Sequence, residues 1–265
     1  MAGAAFFDLD KTLIEGSSAF YFARASYRAG LLDRRQLLRG AVANLRFRLV
    51  GSSDEENHAV RDRVLEAIAG VRVRDLQRLG PELLAHLLPR VYQEMLDEAY
   101  AHQDAGRPAI IVTATSQELA DLMAHVLVFD GGIGTRAEIR DGVYTGRLAG
   151  PFTYGEGKAE AIRAMAAERG LDLAESYAYS DSVSDLPMLR AVGHPVAVNP
   201  DPELARIARA EGWRVMRFDR LRRRLRIAAA LGGVAAAAGT TGYVAGELRP
   251  RLARRARRRR LPLPR

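Results

Sequence analysis

The stretch Phe6-Phe7-Asp8-Leu9-Asp10-Lys11-Thr12-Leu13 decides how the rest of this chain is read. It begins as an apolar strand and ends on two carboxylates separated by a single leucine. Side chains at i and i+2 of an extended segment point to the same side, so Asp8 and Asp10 share one site. Two acids at the C-terminal end of a strand rarely serve packing. They suit a nucleophile or metal ligand placed beside a general acid/base.

Outward from this stretch the rhythm is first helical. Across residues 15–104, the segments Ser17–Tyr27, Arg34–Phe47, Asp54–Ile68 and Glu82–Ala101 carry apolar residues at three- and four-residue spacing. Gly30, Gly51 and Gly70 stand where such helices would stop. The expectation is an all-helical block inserted after one strand.

From Gly106 the pattern changes. Ala109-Ile110-Ile111-Val112 reads as a strand buried on both faces, and a helix follows over roughly Gln117–Leu127. Arg136–Ile139 and Val143–Leu148 flank Asp141-Gly142, a hairpin signal. Glu156–Arg169, Leu186–Ala191 and Pro202–Ala210 read as helices. Ser176–Tyr179, Pro195–Val198 and Trp213–Arg217 read as strands. Strands alternating with helices predict an α/β fold with a mostly parallel sheet, whose ligands gather at the strands' carboxyl ends.

Composition narrows the chemistry. The 265 residues are 48% hydrophobic and 27% charged, ordinary values for a globular protein. The absence of cysteine excludes disulfides, thiolate nucleophiles and Cys-based metal centres. His58, His86, His102, His125 and His194 are scattered, with no ligand spacing between them. The first residues lack a signal peptide's basic start and long apolar run, so a cytoplasmic protein is expected.

The formal charge of +8 is unevenly spread. Residues 214–265 carry a net +14, whereas residues 1–213 carry a net −6. Within the tail, 227–246 is uncharged and rich in Ala and Gly, and 249–265 is basic. The uncharged piece has about the length of a membrane helix but weak hydrophobicity. Its readings are membrane association, by insertion or by attraction of the arginines to anionic lipid, and a loose extension enriched in arginine. Nucleic acid is not the expected partner.

The chain holds 38 Arg and only Lys11 and Lys158 as lysines, so a retained Lys is informative. Four signals stand at predicted strand or helix ends: Asp8-Leu9-Asp10-Lys11-Thr12, Thr113-Ala114-Thr115, Gly157-Lys158, and Asp181 with Asp185 in Ser180-Asp181-Ser182-Val183-Ser184-Asp185. Together they suit phosphoryl transfer. A carboxylate can attack phosphorus, and a second can donate a proton and later activate water. Hard oxygen ligands suit Mg²⁺. A Lys, a hydroxyl and nearby backbone N–H groups can hold phosphoryl oxygens.

On these four motifs, residues 4–217 resemble the haloacid dehalogenase-like (HAD) superfamily, subfamily IB, in the branch that includes the phosphoserine phosphatases. The resemblance implies an α/β Rossmannoid core over 1–14 and 105–226, with residues 15–104 as a helical cap and 227–265 as a tail. It implies a Mg²⁺-dependent phosphatase that hydrolyses a phosphate monoester through an aspartyl-phosphate. Asp8 matches the nucleophile and Asp10 the general acid/base. Thr113 and Ala114 match the phosphate-binding second motif, and Lys158 the phosphate-anchoring lysine. Asp8, Asp181 and the backbone carbonyl of Asp10 match the Mg²⁺ ligands, with Asp185 and Thr12 in support.

Four features depart from the phosphoserine phosphatases, one being that residues 40–75 hold no match to the Arg-Val-x-Leu-Leu setting of their cap arginine. Ser17 stands where a substrate-contacting Glu is usual, Thr113-Ala114-Thr115 replaces Ser-Gly-Gly, and Ser184 replaces Asn. The substrate is therefore expected to be a small-molecule or lipid-derived phosphate ester, with phosphoserine itself not the favoured one. The alternatives are a phosphomutase or phosphotransferase on the same chemistry, and a non-catalytic, membrane-associated regulator on the same fold.

Overall fold

A computed structural model describes residues 2–31 and 54–218. The predicted helix Arg34–Phe47 and the tail 227–265 lie outside these residues. The α/β fold expected from the sequence is present. Six strands form one sheet in the order β3-β2-β1-β6-β7-β8, every neighbouring pair parallel. They are β1 (Ala5–Asp8), β2 (Ala109–Ser116), β3 (Gly131–Thr135), β6 (Tyr177–Ser180), β7 (His194–Val198) and β8 (Arg214–Met216). Strand order reverses at β1, between β2 and β6. In such a sheet that reversal opens a crevice beyond the strands' carboxyl ends, where ligands bind.

Alternation along β1 sorts the layers. Phe6 belongs to a buried cluster with Ile110, Val112 and Ala178 from the neighbouring strands. Three helices cover it through Ile162 of α7 (Glu156–Arg169), Met188 and Leu189 of α8 (Leu186–Arg190), and Leu204 and Ala208 of α9 (Pro202–Ala210). Phe7 faces the other way and stacks on Tyr179, with ring centroids 4.4 Å apart. Asp8, two residues beyond Phe6, therefore returns to the α7 side. This parity aims its carboxylate at the first turn of α7.

Between β1 and β2 the described residues form α1 (Ser18–Arg28), α2 (Asp54–Ile68), α3 (Val73–Gln77), α4 (Gly80–Leu87) and α5 (Gln93–Asp104). The single helix expected over Glu82–Ala101 is two helices with a 3₁₀ turn, Leu88–Arg90, between them. Pro89 lacks an N–H and interrupts the ladder. The break lets Val91 pair with Ile14 and the Tyr92 amide bond the Leu13 carbonyl at 3.0 Å. The inserted helices are thereby joined to the loop that follows β1.

Two further differences follow from glycine and from the chain's need to reach the site. Strand β3, Gly-Gly-Ile-Gly-Thr, is not among the strands expected from the sequence. It runs so close to α6 (Gln117–Val126) that a Cβ on Gly132 would come within 2.6 Å of the Ala120 backbone. Strand β2 also runs four residues past Val112, carrying Thr113–Ser116 with it. The predicted hairpin is a separate antiparallel pair, β4 (Ala137–Arg140) and β5 (Val143–Leu148). Asp141 and Gly142 both adopt positive φ at its turn, as an Asp-Gly hairpin requires. Among the described residues no helix is long and apolar enough to cross a membrane.

On the Phe7 face a polar relay joins α5 to two strands. The Arg107 Nε–H donates to His102 Nδ1 at 2.8 Å, so the His102 proton sits on Nε2 and faces the Tyr179 hydroxyl, also at 2.8 Å. The Tyr179 hydroxyl donates to Glu98 Oε2, which also accepts from Arg214. Burial, with Arg107 beside it, pushes the His102 imidazole from 6.5 down to about 4. The unfolded chain therefore takes up this proton first as pH falls. Stability contributed by neutral His102 is fully present above pH 6.5 and is lost as pH drops towards 4. Urea unfolding at pH 7.0 and 5.0 is expected to show this loss in the wild type and a shallower dependence in His102→Gln.

Candidate active site

The site forms where β1, β2 and β6 end and α7 begins. Asp8 closes β1, in register with Val112 of β2, and Phe7 is in register with Tyr179 of β6. Ser180 thus lies level with Asp8, and Thr113 stands one residue further along β2. Beyond Asp8 the chain turns sharply. Lys11 takes a left-handed φ of 60°, and the Leu13 and Ile14 amides both bond the Leu9 carbonyl at 3.0 Å. The turn brings Asp10 to the start of α1, where its carboxylate accepts the Ser18 amide at 2.8 Å and the Ser17 hydroxyl at 3.3 Å.

Lys158 is placed by a tight loop. The Tyr154 amide bonds the Phe152 carbonyl, the Gly157 amide bonds Tyr154, and the Lys158 amide bonds Gly155, whose φ is 55°. Gly157 packs against the Phe152 carbonyl so closely that an added Cβ would lie 1.9 Å from that oxygen. The Lys158 side chain, 3% exposed, then reaches across the sheet edge. Its Nζ donates to Asp8 Oδ1 at 2.6 Å and to Asp185 Oδ2 at 2.7 Å. The Ser180 hydroxyl donates to the same Asp185 oxygen at 2.7 Å.

Burial dominates the electrostatics. It raises the Asp8 carboxyl to about 7, against the pull of Lys158 and with a further push from Asp185. Asp10 is also raised by burial, opposed by its hydrogen bonds from Ser18 and Ser17. Asp181 stands well above the usual carboxylate range, first through burial and then through Asp8. Burial works against the Lys158 ammonium, but Asp185 and Asp8 outweigh it and hold its pKa above the ordinary value. Four carboxyl groups thus lie near one buried ammonium, an excess that burial keeps towards the protonated form in the absence of further positive charge.

That excess provides the test for a cation. Asp181 is 8% exposed, and burial and Asp8 oppose its charge while Lys11 favours it. A buried acid beside Asp8 suits a divalent ion. No cluster of three or more His, Cys, Asp or Glu side chains is gathered for a metal among the described residues. The protein's share would therefore be small, in keeping with Mg²⁺, which is held by one or two carboxylates, substrate phosphate and water.

The remaining predicted residues are close by. Thr113 is buried, and its hydroxyl lies 3.2 Å from that of Thr115. Thr12 is fully buried, with no partner for its hydroxyl among the described residues. Ala114 turns its carbonyl away, accepting a hydrogen bond from Thr135 at 2.8 Å. Sequence reading did not single out Ser180 or Thr135. Ser180 lies inside a quoted motif without a signal of its own, and Thr135 ends the strand that glycine disguised.

Comparison with known proteins shows what the chain is similar to. The family model described as haloacid dehalogenase-like hydrolase matches residues 5–190. A Mycobacterium tuberculosis protein named as a probable phosphatase is 40% identical over 257 residues, 95% of this chain and 89% of that protein. A phosphoserine phosphatase of the same organism is 39% identical over 229 residues, 86% of this chain and 74% of that one. A histidinol-phosphatase of Neisseria meningitidis is 33% identical over 233 residues, covering 82% of this chain and 100% of that protein. A crystal structure of a Bordetella pertussis protein of unknown function superposes with a TM-score of 0.72 at 32% identity, covering 82% and 98% of the two chains.

The clash at Gly157 gives a direct test of how Lys158 is seated. Gly157→Ala must displace the 152–157 loop, and a loss of about 1–3 kcal/mol in stability is expected from such overpacking. Denaturant unfolding of the variant checks it; an unchanged midpoint would mean that the loop yields freely.

Proposed function

We propose how this chain, a phosphatase that belongs to the haloacid dehalogenase-like hydrolase family, carries out its reaction: through an aspartyl-phosphate on Asp8, with Mg²⁺ bound. The observation that carries this reading is Lys158, seated at 2.6 Å from Asp8 Oδ1 and leaving the other oxygen of Asp8 for attack. That oxygen bonds to phosphorus as the ester P–O bond breaks. Asp10, whose proton is favoured by burial, gives it to the departing alcohol oxygen. In the second half Asp10 takes a proton from water, the water oxygen bonds to phosphorus, and the P–O bond to Asp8 breaks. Inorganic phosphate leaves and both carboxylates return to their starting states.

Lys158 and the Thr113 hydroxyl hold the phosphoryl oxygens as charge shifts, and Asp185 with Ser180 holds Lys158. Asp8, Asp181 and the Asp10 backbone carbonyl would hold Mg²⁺, which when bound draws charge from the phosphoryl oxygens. Residues 15–104 act as a cap that excludes water during the first half. Asp10 bonds the first residues of α1, so the proton donor is anchored where this segment begins.

The names of two relatives support a substrate class. Phosphoserine and histidinol phosphate are both primary phosphate esters with an amine on the adjacent carbon. A small amino-alcohol phosphate is therefore the proposed substrate, and a cytoplasmic location fits it. The lipid-ester alternative depends on residues 227–265, which lie outside the described residues.

Two measurements test these assignments. With Mg²⁺, the wild type is expected to release phosphate without an added acceptor. Asp8→Asn should fall to background, and Asp10→Asn should be slower by about 100- to 10,000-fold. Activity that survives Asp8→Asn, or that persists after chelation, would sink the mechanism. On an ester panel, kcat/KM for amino-alcohol phosphates should exceed that for a lysophosphatidate-type ester by at least about tenfold. The reverse order would move the substrate to lipid.

A further inference from the structure

We infer that Thr135 is a positioning residue that sets the orientation of the phosphate-facing peptide after Thr113; this rests on the phosphatase reading above. Its side chain is 8% exposed at the end of β3. The hydroxyl makes two bonds, one to each of two segments that hold phosphate. It donates to the Ala114 carbonyl at 2.8 Å. It accepts the Thr153 amide at 3.3 Å, in the loop that leads to Gly157-Lys158.

The first bond fixes a direction. In a trans peptide the C=O and the following N–H point opposite ways. Holding the Ala114 carbonyl against Thr135 therefore turns the Thr115 amide to the other side. There it meets the Thr113 hydroxyl, 3.3 Å away. Because the Thr113 oxygen accepts this amide, the hydroxyl keeps its own proton to donate elsewhere, an arrangement that suits a phosphoryl oxygen. Without the Thr135 bond this peptide plane is free to rotate, and the amide loses its aim.

The second bond relates this peptide to Lys158. The Thr153 amide is buried within the turn that seats the lysine. One hydroxyl thus spaces the amide-bearing strand from the lysine-bearing loop. The glycines of β3 make this reach possible, since a Cβ on Gly134 would meet the Gln117 backbone at 2.8 Å. The Gly134 amide also bonds Gln117 Oε1 at 2.8 Å, locking the strand end under the loop.

Thr135→Val removes the hydroxyl and keeps the shape, and Thr135→Ser keeps the hydroxyl. Because the hydroxyl that this amide orients matters most as charge builds, kcat of Thr135→Val should fall by about tenfold or more with KM changed less than about threefold. Orthovanadate affinity should weaken in step with kcat, and Thr135→Ser should recover both. The inference is overturned if Thr135→Val stays within about twofold of wild-type kcat, or if Thr135→Ser is as slow as Thr135→Val. A residue that only supported the fold would lower the melting midpoint while leaving vanadate affinity per folded molecule unchanged. Calorimetry with inorganic phosphate and Mg²⁺ reads the site without turnover. A wild type that binds phosphate yet cleaves no ester would end the phosphatase reading, and the Thr135→Val phosphate affinity would then decide the role of Thr135. A wild type that binds no phosphate would overturn both.

Discussion

The Lys158 ammonium, held between Asp8 and Asp185 with all three side chains buried, is the contact on which the rest of this structure depends. Burying charge is costly, and in most folds a buried ion pair is weak evidence of stability. Here the ammonium is outnumbered by carboxylates, so the cluster is poorly balanced as a structural device. Such an arrangement makes sense as a site for further positive charge and an incoming phosphoryl group. The sheet supplies the rigidity that keeps the acids close despite their repulsion. Phe6 and Phe7 anchor β1 on both faces, with Phe7 stacked against Tyr179, immediately before the chain delivers Asp8.

Much of this was legible in the sequence because the decisive residues sit at the ends of regular elements. The alternation of Phe6, Phe7 and Asp8 gives strand parity, and parity gives the side to which the carboxylate points. Lys158 stood out because the chain keeps almost no other lysine. The Asp141-Gly142 turn and the helix Pro202–Ala210 likewise follow from local chemistry. What stayed hidden depends on distance in space. β3 has the glycine content of a loop, and its strand character comes from close packing against α6 that no local propensity records. The break after Leu87 is marked by Pro89, but its purpose, pairing Val91 with Ile14, joins residues far apart in sequence. Thr135 is invisible for the same reason.

The inserted helices and the site are coupled at two places. Val91 and Tyr92 bond the loop after β1, and Ser17 and Ser18 bond Asp10. The insertion thus meets the site at Asp10 and at the loop after β1, whereas Asp8 is held by the sheet. None of the departures at Ser17, Thr113-Ala114-Thr115 and Ser184 falls on the Asp8–Lys158–Asp185 contact itself.

The bond between Asp8 and Lys158 spans 150 positions of the chain. During synthesis Asp8, Asp10 and Thr113 emerge long before the lysine and Asp181 that complete their surroundings. Closing so wide a loop is slow, because its entropy must be spent before the contacts form. A chain that ends before α7 carries Asp8 and Asp10 without Lys158, Asp181 and Asp185. The buried cluster is complete only when β6 and α7 dock beside β1, so its assembly waits on the last third of the described fold.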